Sequence, residues 1–426
     1  MVDDNYRASL EARERETLAA LRERYGSPIY VYRLDRVRRA AADLKASLPD
    51  DALIYYSLKA NPEVPIAAEL AGAGFSAEVS SAGELTAALA AGYRADQCLY
   101  TGPGKTAEEI DNALLAGIRL FSVESVGDYR RVARTAAAHA VQSRCLVRVN
   151  PERGAAGTGL RMSGKPSQFG IELGNLDELM AVRQDSLDIV GTHVFLGTNV
   201  RTEEELIAEF AVGVEVTAVV RRRLGIVGGQ ANLGGGFAAP FAEPGTRPRY
   251  SALRAAVSDM LHTGLPGWRE GAPRIAFESG RALVGDCGTL VCTVTDVKTS
   301  RSTTQVVLDA GTNALGGMSG LGRLMPTGVR AVPLDLELVG APREAALVGP
   351  LCTPLDVLAR SRITMVPDVD SALAVPNVGA YGLHASLLAF LSRPMPGIVV
   401  LDGDHVVSAE RLEFGRGPLA EREGVR

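Results

Sequence analysis

The chain has no excess of positive charge. Its 45 Lys and Arg face 50 Asp and Glu, a formal net charge of −5, and the sequence pI is near 5.7. That balance argues against nucleic acid or an anionic membrane as the main partner. Cysteine is scarce: Cys98, Cys145, Cys287, Cys292 and Cys352 are scattered through 426 residues without paired metal spacing. No metal site is expected, and a reducing compartment suits such a chain better than an oxidising one. No uninterrupted apolar run approaches the roughly 18 residues of a spanning helix, so no membrane partner is expected. The opening Met1-Val-Asp-Asp-Asn5 lacks the basic and apolar blocks of a secretion signal. The expected location is the cytoplasm. Neither a repeat nor a low-complexity tract is visible.

What is present is alternation. Apolar runs at 29–32, 53–58, 76–80, 97–100, 119–123, 145–149, 189–195, 230–233 and 274–277 are separated by Ala-rich amphipathic segments. Strands joined by helices in this way predict a parallel sheet. About eight such units fit between residues 28 and 285, the size of a (β/α)8 TIM-type barrel. A doubly wound sheet is the structural rival. The candidate residues of this half all fall at C-terminal strand ends, which favours the barrel. After residue 285 short β-rich runs dominate, at 289–298, 305–308, 334–339 and 398–401. They predict a C-terminal β-sandwich or β-barrel domain. The expected division is therefore an N-terminal helix over 1–27, a barrel over 28–285 and a β-domain over 286–426. The charged tail beyond Ser408 is expected to fray.

The run Leu53-Ile-Tyr-Tyr-Ser-Leu-Lys59-Ala-Asn-Pro62 organises the rest. It reads as a buried strand stopped by Pro62, with Lys59 at its end aimed into a cleft. Most lysines are solvated surface groups; desolvation here would lower the amine pKa, as covalent chemistry requires. The wording "YYSLKANP" resembles the cofactor-lysine motif of the fold type III pyridoxal-phosphate decarboxylases, among them the ornithine, arginine and diaminopimelate enzymes. Further matches run from about residue 25 to residue 395.

The resemblance implies pyridoxal 5'-phosphate as cofactor and assigns roles residue by residue. Gly234, Gly235 and Gly236 match the glycine-rich phosphate loop, although a glycine triplet alone is more often a turn. Glu278 in "ESGR" would pair with the pyridine nitrogen, and Gly280 and Arg281 would serve the phosphate; a strand-end ion pair is the plain alternative. Glu78 would orient groups near the ring, while Glu84 also suits simple first-turn helix charge. Arg148 matches an arginine near the cofactor, or else a barrel-rim ion pair. "HVFLGT" keeps His193, has Phe195 where the family stacks a histidine on the ring, and keeps a phosphate-side hydroxyl at Thr198. Tyr381 of "GAY" would reach the phosphate.

Cys352 in "GPLCTPLD" would return a proton to the substrate carbon, against the usual buried structural cysteine. Thr353, Asp356, Asp309 and Phe390 are candidate substrate contacts. Thr353 stands where ornithine and diaminopimelate decarboxylases carry an acid that reads a distal ammonium. The arginine-proline-tyrosine segment of diaminopimelate decarboxylases is also missing, replaced by the Gly-rich stretch 313–322. In this family the cysteine segment comes from the neighbouring subunit, which implies a head-to-tail homodimer.

These departures most resemble a branch from antibiotic biosynthesis, of the butirosin-pathway type, that acts on aminoacyl groups held by an acyl carrier protein. A glutamyl or 3-methylaspartyl thioester is the expected substrate. A free diamino acid is the alternative, and an alanine-racemase-type enzyme is disfavoured by Glu278. A non-catalytic cofactor carrier would lack the β-domain. The Gly-rich stretch 150–165, with Arg153, Arg161 and Lys165 against Glu152, reads either as a basic rim for an acidic carrier or as a solvated lid.

Overall fold

The computed structural model describes residues 10–151, 160–161, 166–316, 328–335 and 339–418. Most of the basic stretch 150–165 and residues 317–322 of the second Gly-rich stretch therefore lie outside the described residues. The chain divides into two compact units. One comprises Arg33–Gly288 with Asn377–Tyr381. The other gathers the described residues within Met1–Tyr32, Thr289–Pro376 and Gly382–Arg426.

The first unit is a closed barrel of eight parallel strands with flanking helices. The first strand of the chain, β1 (Ile29–Arg33), stands outside it. The barrel strands are β2 (Leu53–Ser57), β3 (Ser76–Val79), β4 (Cys98–Tyr100), β5 (Leu120–Val123), β6 (Ser143–Asn150), β7 (Leu187–Val194), β8 (Gln230–Asn232) and β9 (Arg274–Ser279). Each pairs with the next, and β9 closes on β2 with Glu278 opposite Tyr55. The doubly wound alternative is thereby excluded.

Local chemistry explains where the helices begin. Ser81, Thr106, Ser125 and Thr202 each accept a hydrogen bond from the backbone N–H three residues on, at Glu84, Glu109, Asp128 and Glu205. This is the Ser/Thr-x-x-acid signature of a capped N-terminus, with negative charge placed in the first turn. These starts follow β3, β4, β5 and β7, so the chain turns at the C-terminal rim by its own capping chemistry.

Register then decides which side chains face inward. Paired residues in adjacent parallel strands point to the same side. The pairs Tyr55–Glu278, Ser57–Glu78, Glu78–Leu99, Ser122–Leu146, Arg148–His193 and His193–Asn232 form one inward set. Its lower members Tyr55, Leu99, Leu146 and Ala276 pack as an apolar floor. The upper members are polar and belong to the site.

The second unit contains a nine-stranded mixed sheet. Here the structure corrects an expectation: β1 lies between the strands Gly288–Ser300 and Gly397–Asp402, and does not enter the barrel. Ile29 and Val31 join Leu18 and Leu21 of the helix Ala12–Tyr25, together with Val291, Val399 and Leu401, in one apolar core. Ser27, just before β1, is fastened by its hydroxyl to Asp309 (2.5 Å) and Thr293 (2.6 Å). The expectation of fraying directly after Ser408 is corrected, since His405–Arg411 pairs with Gly397–Asp402. Among the described residues no helix is long and apolar enough to cross a membrane, and no cluster of metal-ligating side chains occurs.

One buried ion pair braces the rim. Lys105 Nζ lies 2.8 Å from Asp128 Oδ2, their side chains 1% and 3% exposed, and Nζ also donates to Ser122 O. Removing one partner of such a pair leaves an uncompensated charge, which costs about 3–5 kcal/mol. Lys105→Met is expected to lower stability by about that amount in denaturant unfolding. The double variant Lys105→Met/Asp128→Leu should recover part of the loss.

Candidate active site

Lys59 sits in the 3-10 turn Leu58–Ala60 directly after β2. The turn is hemmed in by Gly280, the residue that follows β9. A Cβ at Gly280 would come 2.7 Å from Ala60 Cβ and 3.1 Å from Ser57 O. Ala60 O accepts from Tyr381 N at 2.8 Å, and Asn61 Nδ2 donates to Gly379 O at 2.9 Å. Gly379 itself has no room for a side chain, since its Cβ would lie 1.8 Å from Val284 O. The "GAY" segment is thus fastened to the lysine turn by one backbone bond and one from the Asn61 side chain, with Tyr381 at φ 56°. The Arg281 guanidinium lies 4.8 Å from the Tyr381 ring centre, a cation–π contact.

Lys59 Nζ is 3.0 Å from both oxygens of the buried Glu78. Glu78 Oε1 also accepts from Thr101 Oγ1 at 2.6 Å. The expectation of a depressed amine pKa is corrected here. Burial does work against the ammonium, but the Glu78 carboxylate, then Tyr381 and Glu278, hold the pKa above the ordinary lysine value. Desolvation is incomplete as well, since the side chain is 42% exposed. Glu84 plays a different part, with its carboxylate accepting from Ser80 N at 2.7 Å in the helix cap. Burial raises its pKa to about 7, and the nearby Glu78 charge acts in the same direction.

Glu278, at the end of β9, is fully enclosed. Its Oε1 accepts from Asn232 Nδ2 at 2.7 Å and lies 3.1 Å from His193 Nε2. His193 Nδ1 is 2.8 Å from Ser122 Oγ. Burial alone would raise the Glu278 pKa, but contact with His193, then Lys59 and Arg148, outweighs it and keeps the acid well below the carboxylate range. Among the described residues Oε2 takes no hydrogen bond. Arg148 Nη1 bonds Glu124 Oε1 at 3.1 Å, and its guanidinium lies between Phe169 (4.7 Å) and Phe195 (5.8 Å).

The glycine loop is held at both ends. Gly234 N donates to Asn232 Oδ1 (2.9 Å), and Gly234 O accepts from Glu278 N (2.8 Å). With φ 72° and a would-be Cβ 2.5 Å from Val194 O, position 234 requires glycine. Gly236 O accepts from Val200 N at 2.8 Å, which brings the Gly197–Thr198 segment alongside. Gly235 and Gly236 are buried, and their N–H groups donate no hydrogen bond among the described residues. Buried backbone donors rarely go unused, so the loop fits an anion.

The amine of Lys59, an ionised carboxylate with one uncommitted oxygen and paired glycine N–H groups match the aldehyde, ring nitrogen and phosphate of pyridoxal phosphate. The sequence matches the family "Pyridoxal-dependent decarboxylase, pyridoxal binding domain" over residues 34–285. The chain belongs to this family. This decarboxylase is a lyase using pyridoxal phosphate. It is 30% identical to the L-glutamyl-[BtrI acyl-carrier protein] decarboxylase of Niallia circulans, over 89% of this chain and 90% of that one. It is also 30% identical to the diaminopimelate decarboxylase of Zymomonas mobilis, over 91% and 90%. The Helicobacter pylori diaminopimelate decarboxylase complexed with L-lysine shares the fold, with a TM-score of 0.80 at 24% identity, covering 92% of this chain and 96% of that one.

The remaining candidates of the decarboxylase lie in the β-unit. Cys352 is exposed, whereas the four other cysteines are buried. Thr353 N donates to Leu351 O at 2.8 Å, and Phe390 is 42% exposed. Two of the substrate candidates are engaged within the chain. Asp356 is buried: its Oδ1 accepts from Thr312 N (2.7 Å) and Thr312 Oγ1 (3.0 Å), and its Oδ2 from Leu351 N (2.8 Å). Asp309 is spent on Ser27 Oγ and on Thr293 N at 2.9 Å. Both carboxylates build loops. Ser122, Thr101, Asn232 and Glu124 were not singled out from sequence, although each lies within two residues of a predicted strand end.

Glu78→Gln removes the charge that holds the Lys59 ammonium. The pH profile for cofactor attachment, followed by absorbance, is expected to move down by about one unit, the lower end of such effects for a part-exposed amine. An unchanged profile would break the link between the two residues.

Proposed function

We propose that this enzyme removes the α-carboxylate of an acidic aminoacyl group, of glutamyl or 3-methylaspartyl type, presented as a thioester on an acyl carrier protein. The observation that carries the reading is Thr353, beside the exposed thiol of Cys352. A threonine cannot form an ion pair with a distal ammonium, and a tethered acyl group has none to read. The carrier-linked relative at 30% identity over 89% of the chain supports it. A free diamino acid is the second reading, favoured by the equal identity to the Zymomonas mobilis enzyme.

Pyridoxal phosphate, when bound, takes up the electron pair left on the substrate as carbon dioxide departs. Lys59 would hold it covalently, with Glu78 orienting the amine. Gly235 and Gly236 would donate to its phosphate, with Gly234 setting the turn and Gly280, Arg281, Thr198 and Tyr381 alongside. Glu278 Oε2 would hold a proton at the ring nitrogen. Phe195 would cover the ring by dispersion, without a proton to exchange. Arg148 would set the charge beside that face. Cys352 would give its thiol proton to the substrate α-carbon and regain one from solvent, with Thr353 and Phe390 bounding the substrate. In this reading Cys352 serves the site of the partner subunit in a head-to-tail homodimer, with the barrel and the β-domain as its two working parts.

Borohydride is expected to fix the cofactor irreversibly to Lys59, and Lys59→Ala to abolish this. Mixing the inactive variants Lys59→Ala and Cys352→Ala should restore part of the activity through hybrid dimers; no recovery after demonstrated subunit exchange would count against the shared site. For the substrate, decarboxylation is compared on free amino acids and on carrier-loaded thioesters. Turnover of glutamyl or methylaspartyl carrier with no activity on diaminopimelate, ornithine or lysine is the expected result. The opposite pattern establishes the second reading.

A further inference from the structure

Ser122, His193 and Glu278 form a chain of contacts that ends at the carboxylate assigned to the ring nitrogen. All three are buried, at 0%, 1% and 2% exposure. The Ser122 hydroxyl has one hydrogen-bond partner among the described residues, His193 Nδ1 at 2.8 Å. A buried hydroxyl proton needs an acceptor, and a protonated Nδ1 cannot be one. The proton on Ser122 therefore points at Nδ1, which must be bare. The ring's own proton is then on Nε2, 3.1 Å from Glu278 Oε1. That contact is a close approach outside hydrogen-bond geometry, and Nε2 has no hydrogen-bond partner among the described residues.

We infer that Ser122 holds His193 as the neutral Nε2–H tautomer, and that His193 is thereby a positioning residue for Glu278. The distinction from an imidazolium matters. A charged ring would form an ion pair with Glu278 and compete with the cationic ring nitrogen for its charge. A neutral N–H facing Oε1, beside the Asn232 amide that bonds it, leaves the negative charge available at Oε2. The cations acting on Glu278, Lys59 and Arg148, come from the turn after β2 and from β6 and do not depend on this tautomer. The inference rests on the decarboxylase reading for its purpose, though not for the tautomer itself.

The test uses the protein as purified, labelled with 15N-histidine. With five histidines in the chain, the His193 signals can be assigned by their loss in His193→Gln. The expected spectrum shows a protonated Nε2 and an unprotonated Nδ1. A doubly protonated ring, or a proton on Nδ1 alone, overturns the inference. A second arm compares His193→Gln, whose amide can still donate to Glu278, with His193→Leu. The expected result is cofactor loss and kcat within about threefold of the parent for Gln, and a defect of about tenfold or more for Leu, the size of one lost polar contact to a charge. Equal defects in two variants with matching circular dichroism overturn the positioning role. If borohydride leaves no cofactor on Lys59, the decarboxylase reading fails instead, and the ring signals still decide the tautomer.

Discussion

A negative charge inside a barrel is tolerated only where donors surround it. Glu278 is such a charge, and much of the upper barrel can be read as its support. Asn232 reaches it from the adjacent β8 and His193 from β7, the strand beyond, and Ser122 stands behind His193. The backbone joins in, because Glu278 N bonds Gly234 O and so ties the carboxylate strand to the glycine loop. The residue two positions on, Gly280, is pressed against the lysine turn. One short strand end therefore sets three groups at once: the acid, the anion loop and the amine. A shift in any one would be transmitted to the others through contacts that have no slack.

How much of this could be read beforehand follows from what each residue looks like out of context. Lys59, Glu78, Arg148, His193 and Glu278 interrupt or end apolar runs, and a charged group at the end of a buried strand is conspicuous. Ser122 and Thr101 are not conspicuous, since hydroxyl residues near strand ends resemble turns and caps. Their inward direction is created by barrel closure, which no local pattern contains. The pKa of Lys59 was misjudged for a related reason. Burial could be inferred from the strand, but Glu78 comes from the next strand and its distance from the amine could not.

The placement of β1 shows the same limit at the scale of the fold. Five consecutive residues, four of them buried, look like any barrel strand. What assigns β1 to the other sheet is contact with partners remote in sequence, such as Ser27 with Asp309, 282 positions apart. Asp309 and Asp356 illustrate the converse hazard. Both sit in motifs that carry chemistry, and both are occupied in holding backbone.

Asp356 has one further consequence. Its carboxylate fills the space where Gly311 and Gly349 would carry side chains, with would-be Cβ atoms 2.4 and 2.2 Å away. It also anchors Leu351, the neighbour of Cys352. The loop is therefore built like a socket with a rigid rear wall and interchangeable fittings at its front. Leu355, at that front, is 74% exposed, and the Thr353 hydroxyl accepts from Leu355 N at 3.3 Å. New substrate ranges can thus arise by drift at one or two outward positions, while the thiol stays where it is.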